Sequence, residues 1–233
     1  MDTKQEQKLP DFHVLIAAAG SGARMGQDIP KQYSKIHGKA VLRYSIEAFL
    51  SIPACQSVRV IINPDDADLY HEAVSGLDLP GFIAGAKERN LSIYNGLKAL
   101  SNLKNEDIIM FHDGARPCIL QQDIENFLLA LTQHPAATLA APVSSTLRKA
   151  GNDNLAREQV PRDDLWAIQT PQGFRYGDIM KAHESADPNK TYTDDTALAS
   201  AIGIPVKLVQ GSNTNIKITL PEDLQLAEKL LAP

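Results

Sequence analysis

The chain has almost no cysteine: Cys55 and Cys118 are the only two among 233 residues, with no CxxC pair and no histidine cluster. That argues against a disulfide framework and a zinc site, and both read as buried free thiols of a reducing compartment. No stretch reaches the roughly 18 continuous apolar residues needed to cross a membrane. The start, MDTKQEQKLPDF, lacks the apolar core of a signal peptide, so residues 1–11 read as a flexible tail and the chain as cytoplasmic. Net positive charge is missing too. A formal charge of −5 and a pI near 5.7 argue against a nucleic-acid partner. An anionic ligand must then meet individually placed Arg and Lys side chains.

What is present is a 43% apolar content, enough to fill a sizeable core. Short apolar runs at 13–19, 57–63, 81–85, 107–113 and 136–143 read as strands. They are unbroken rather than alternating, as in strands of a parallel sheet covered on both faces. Between them, Leu42, Ile46, Phe49 and Leu50, and then Ile124, Phe127, Leu128 and Leu131, follow the spacing of amphipathic helices. The alternation predicts one α/β domain over 1–233, a doubly wound, mostly parallel, Rossmann-like sheet.

The alternation fails at about 143–172, a long polar stretch with the turn-prone AGNDN, which reads as a β-arm projecting from the sheet. Beyond it, Thr193 is placed to cap a helix beginning at Asp194 and Asp195. Thr219-Leu-Pro-Glu222 reads as a capping box opening a last helix that buries Leu224, Ala227 and Leu231.

The first strand runs into AAAGSGARMGQDIPKQY (17–33), where Gly20 and Gly22 let backbone N–H groups converge on an anion. A dinucleotide fingerprint from Gly20 needs Gly or Ala at position 25, which is Met25, and no Gly-Lys ends the stretch as a P-loop requires. A phosphate cradle of a third kind remains, with Arg24 and Lys31 as added cations. Three more clusters fall at the same carboxyl edge, where open α/β sheets bind ligands. They are GAKERNLS (85–92), HDGARP (112–117) and SNTNIKIT (212–219).

Together with VPRDDLWAIQTPQGF (160–174), TDD (193–195) and NIKITLPEDL (215–224), these stretches resemble the 2-C-methyl-D-erythritol 4-phosphate cytidylyltransferases of the non-mevalonate isoprenoid pathway. The resemblance runs from about residue 12 to 232. It implies that CTP and methylerythritol 4-phosphate give a cytidine diphospho-alcohol and pyrophosphate, with Mg²⁺ or another divalent cation. Arg24, Lys31, Arg162 and Lys217 are implied as catalytic. Ala18, Ala19, Gly20, Gly22, Gly85, Ala86, Arg89, Ser92 and Asp113 are implied to hold the nucleotide, Asp113 also being the metal ligand. Arg116, Thr146, Arg162, Thr170 and Lys217 are implied on the acceptor side. The arm is implied to build a homodimer and to complete the neighbour's site with Thr146 and Arg162. Ser145 stands where many relatives carry an acidic residue.

The rival readings are a cytidylyltransferase for another polyol phosphate, such as ribitol 5-phosphate, and a non-catalytic nucleotide sensor. The arm segment favours methylerythritol phosphate, and the presence of Arg24, Lys31 and Lys217 favours an enzyme. His112 reads as a structural histidine and Trp166 as an arm or interface anchor.

Overall fold

Apolar runs too short for a helix become the strands of a computed structural model that describes residues 8–20, 29–187 and 190–232. In chain order the elements are β1 (Phe12–Ala18), β2 (Lys35–Ile36), β3 (Lys39–Ala40), α1 (Val41–Leu50), β4 (Cys55–Ile62), α2 (Ala67–Ala73) and β5 (Ile83–Ala84). Then follow α3 (Arg89–Lys98), β6 (Ile108–Asp113), α4 (Gln121–Leu131), β7 (Ala136–Pro142), β8 (Leu147–Ala150) and β9 (Ala156–Val160). The chain ends with β10 (Trp166–Arg175), α5 (Tyr176–Glu184), α6 (Asp195–Ala201), β11 (Val206–Gln210) and α7 (Pro221–Leu230).

The central sheet has the order β11-β7-β10-β6-β1-β4-β5. β10 runs antiparallel to both β6 and β7, and every other neighbouring pair is parallel. Alternate side chains of each strand feed opposite faces. Val14 and Ile16 join Leu42, Ile46, Phe49, Phe127 and Leu128 on one face. Leu15, Ile61 and Phe111 join Ile93, Leu97, Phe174 and Ile179 on the other. The unbroken apolar runs therefore serve two cores at once, each fully buried side chain contributing about 1.5–3 kcal/mol. The mostly parallel, doubly wound sheet is the one anticipated.

Four local expectations are corrected. Residues 166–172 belong to β10, an interior strand of the main sheet, so the projecting hairpin consists of β8 and β9 alone. Gln169, Thr170 and Gln172 made this segment look solvent-facing, yet all three are buried. Asp194 rather than Thr193 caps α6, accepting from the Ala197 N–H at 2.9 Å. In α7 the capping position is Leu220, and Asp223, not Glu222, turns back to accept from the Thr219 and Leu220 N–H groups at 2.8 Å each. Leu50 points outward, because a helix stripe drifts off the core at i+8. Strand β11, short and at the sheet edge, was not anticipated.

Candidate active site

The site is assembled where β1, β4, β5 and β6 end. After β1 the backbone of Ala17–Gly20 walls one side of a cleft of about 370 Å³. Its path is fixed by Gln32, a buried side chain that donates to the carbonyls of Ala18 at 2.8 Å and Gly20 at 3.0 Å. Gln32 sits in a single 3₁₀ turn, Lys31–Tyr33, which brings Lys31 to the same cleft. Gly22 and Arg24 lie outside the described residues.

The opposite wall is the turn from β5 into α3. The Gly85 N–H donates to the Ile62 carbonyl at 2.8 Å. A Cβ on Gly85 would stand 2.4 Å from the Ala19 Cβ and 3.1 Å from the Ile62 oxygen, so only glycine lets the two walls approach this closely. The buried Ser92 hydroxyl accepts from the Ala86 N–H at 2.8 Å and donates to the Glu88 carbonyl at 2.9 Å, which closes the turn.

Asp113, the last residue of β6, lies at the floor. Its Oδ2 meets Lys217 Nζ at 2.9 Å and Arg116 Nε at 3.4 Å, while its Oδ1 faces Arg89 Nε at 3.7 Å. Burial pushes the carboxyl up, but Lys217, Arg89 and Arg116 together outweigh it and hold the group well below the usual carboxylate range. Arg116 also donates to the Asn215 carbonyl at 2.7 Å, and Arg89 Nη1 reaches Asp195 Oδ2 at 2.5 Å. Burial opposes the charge of Asp195 as well, and Arg89 ahead of His183 overrides it, so its carboxyl is also depressed.

Behind Asp113 a chain of hydrogen bonds fixes β6 against β10. The Asp113 N–H donates to Thr170 Oγ1 at 3.1 Å. The Thr170 hydroxyl lies 3.0 Å from His112 Nδ1, and His112 Nε2 lies 3.2 Å from the Arg116 carbonyl. A carbonyl can only accept, so Nε2 carries the proton and Nδ1 accepts from the hydroxyl. That assignment needs a neutral imidazole, and burial pushes the His112 pKa down to about 4. His112 is thus the satisfied structural histidine anticipated from the sequence.

Ala18, Ala19, Gly20, Lys31, Ala86, Arg89, Ser92, Asp113 and Lys217 all line the one cleft. Gly85 lies just beneath it, and Arg116 and Thr170 stand behind Asp113, with Arg116 Nε and Nη1 and Thr170 Oγ1 hydrogen-bonded. Thr146 and Arg162 line a separate concavity of about 450 Å³ on the β8–β9 hairpin, where the Arg162 guanidinium donates to the Ser144 carbonyl. Sequence reasoning missed Gln32 and Asn215, and saw Asp195 first as a helix-start carboxylate. Neighbouring NIKITLPEDL and KQY offered no local sign of their polar partners, which come from distant segments.

Such a cleft carries cations and convergent backbone and, among the described residues, no buried nucleophile paired with a base. The family model for 2-C-methyl-D-erythritol 4-phosphate cytidylyltransferase matches residues 12–233. The chain belongs to this family. It is an enzyme, a cytidylyltransferase of isoprenoid biosynthesis. A 2-C-methyl-D-erythritol 4-phosphate cytidylyltransferase of Pelotomaculum thermopropionicum is 40% identical over 222 residues, covering 93% of this chain and 92% of the relative. A bifunctional enzyme IspD/IspF of Paramagnetospirillum magneticum is 43% identical over 217 residues; the match covers 93% of this chain but 56% of that longer relative. The crystal structure of the cytidylyltransferase of Francisella tularensis superposes with a TM-score of 0.81 at 30% identity, covering 95% of this chain and all of that one. That of Thermus thermophilus gives 0.76 at 31% identity, covering 94% and 98%.

Whether a divalent cation suits this cleft can be read from its donors. Among the described residues no group of three or more His, Cys, Asp or Glu side chains forms a cage. Asp113 at the cleft floor, with Glu88 also in the lining, fits Mg²⁺, which is held by one or two carboxylates plus substrate phosphates.

Proposed function

We propose that this chain transfers the cytidylyl group of CTP to 2-C-methyl-D-erythritol 4-phosphate with the cleft residues in defined roles. The acceptor phosphate oxygen forms a bond to the α-phosphorus, the bond to the β,γ-pyrophosphate breaks, and pyrophosphate leaves with the electron pair. A phosphate monoester has a second pKa near 6, so the attacking oxygen is already anionic and no general base is needed. The barrier is the approach of one anion to another, and preorganised positive charge lowers it. Lys31, with Arg24 from the glycine-rich stretch, clamps the triphosphate and its departing end. The backbone around Ala18, Ala19, Gly20 and Gly22 cradles the phosphates. The Gly85–Ser92 turn reads the cytosine edge with fixed polar groups, which is how a small base is discriminated.

Asp113 holds Mg²⁺ or a similar ion, which when bound neutralises phosphate charge. Lys217 orients the acceptor phosphate from the cleft. Thr146 and Arg162 reach it from the hairpin of a second copy, and Arg162 suits a phosphate through its forked donors. Three exposed apolar side chains, Leu155, Leu165 and Ile168, lie on the hairpin and its root, and an isolated two-stranded hairpin is marginal by itself. Both features support a homodimer built through the arm. No described helix is long and apolar enough to cross a membrane, which is compatible with a cytoplasmic enzyme.

The observation that carries this reading is the meeting of Gly20, Lys31, Ala86, Arg89, Asp113 and Lys217 in one cleft. The experiment is pyrophosphate release with CTP and a panel of acceptors. Methylerythritol 4-phosphate should exceed ribitol 5-phosphate and erythritol 4-phosphate in kcat/KM. A preference for ribitol 5-phosphate overturns the acceptor assignment.

A further inference from the structure

We infer that Asp195 is a positioning residue that keeps Arg89 from closing onto Asp113, and so leaves an oxygen of Asp113 open to a divalent cation. The inference rests on the proposed metal role of Asp113. The two oxygens of Asp113 are unequally engaged. Oδ2 has Lys217 at 2.9 Å and Arg116 at 3.4 Å, whereas Oδ1 has Arg89 Nε at 3.7 Å, beyond hydrogen-bond range. Arg89 stops there because its other end is held at 2.5 Å by Asp195 Oδ2.

Asp195 is a stiff anchor. It is fully buried at the first position of α6, and its N–H donates to Gln172 Oε1 at 3.2 Å. The same Gln172 donates to Asp194 at 2.9 Å, so β10 grips the helix start through one side chain. On its far side Asp195 Oδ1 lies 3.2 Å from His183 Nε2, and the His183 ring is stacked on Tyr94 of α3 at 5.7 Å. The Oδ1–Nε2 pair is poorly aligned as a hydrogen bond, so Arg89 is the strong partner of Asp195. With the carboxylate of Asp195 neutralised, Arg89 loses its closest counter-charge, and Asp113 is the carboxylate it already faces. A movement of less than an ångström makes a charge-assisted bond to Oδ1. A metal would then have to displace a third close cation from a carboxylate already sharing two.

The test is Mn²⁺ binding to the protein in complex with α,β-methylene-CTP, followed by electron paramagnetic resonance at saturating analogue. Asp195→Asn should weaken Mn²⁺ binding about tenfold, and Asp195→Ser, a smaller neutral side chain, should do the same if the amide variant folds poorly. In an Arg89→Gln background the further change Asp195→Asn should have no effect, because no guanidinium remains to close; a merely structural Asp195 would weaken both backgrounds alike. An effect under twofold in the Arg89 background, or equal effects in both, overturns the inference. Asp113→Asn separates the two ideas. If it leaves Mn²⁺ binding unchanged, the metal role of Asp113 falls; if it weakens binding while Asp195→Asn does not, only the role of Asp195 falls.

Discussion

Lys217 Nζ stands 2.9 Å from Asp113 Oδ2, so the segment leading into α7 is drawn back to the end of β6 at the centre of the sheet. The Lys217 side chain is still 39% exposed, which limits what this pair gives to stability. Lys217→Ala should therefore change the unfolding free energy by less than about 1 kcal/mol. Turnover should fall by about two orders of magnitude, as for loss of one preorganised charge at a transition state. Urea unfolding and pyrophosphate release measured on the same preparation check both halves.

His112 couples the site to acid. Folded, its pKa is near 4; unfolded, it returns to 6.5. Between those values the unfolded chain binds a proton that the folded chain refuses, so stability is lost as pH falls from about 6.5 towards 4. The difference corresponds to about 3 kcal/mol. Asp113 and Asp195 add losses at lower pH, since both carboxyls are depressed in the fold and their contribution disappears as they become protonated. Urea midpoints of wild type at pH 7.5 and 5 should differ, and in His112→Gln the difference should shrink.

Gly85→Ala tests the close approach of the two cleft walls. The new methyl would lie 2.4 Å from the Ala19 Cβ, an atom on a short backbone-tethered side chain that cannot swing away. Overpacking of this kind costs about 1–3 kcal/mol. The strand end and the β5–α3 turn should move apart, raising KM for CTP more than KM for the acceptor.

Gln32 deserves the same treatment as a residue not singled out by its motif. Gln32→Ala removes both bonds to the Ala18 and Gly20 carbonyls. At about 1 kcal/mol each, their loss should raise KM for CTP by roughly tenfold or more. Gln32→Glu, which cannot donate, should behave like the alanine variant; a variant with wild-type KM would remove Gln32 from the support of the loop.

Lys31 and Arg162 lie on different concavities of one chain. Lys31→Ala and Arg162→Ala should each be nearly inactive alone, the first through turnover and the second through acceptor use. Mixed and allowed to exchange subunits, they should recover up to about a quarter of wild-type activity by forming one intact site per mixed dimer, a statistical limit of independent pairing. Mixtures that stay inactive would show that the hairpin does not serve a neighbour.

Much of the fold was legible because burial on both faces leaves a local mark. β1, β4, β6 and β7 are apolar runs, and α4 shows an apolar stripe whose four members are all buried. The cleft's backbone was legible for a similar reason, since glycine and cation clusters after strands have few other uses. β10 was not, because its Gln169, Thr170 and Gln172 are satisfied by Ser212, Asn215, His112, Asp113, Asp194 and Asp195, far away in sequence.

The sequence by itself therefore determined the class of sheet, the edge at which the glycine and cation clusters gather and, through its motifs, the family. Only the tertiary structure decided how charge is divided there: three cations share Asp113, and Asp195 takes the nearer hold on one of them. Hydrophobic periodicity is written along one element, whereas an ion pair is a relation between elements. Its strength depends on burial and distances that exist only after β6, α3, α6 and the approach to α7 have packed together.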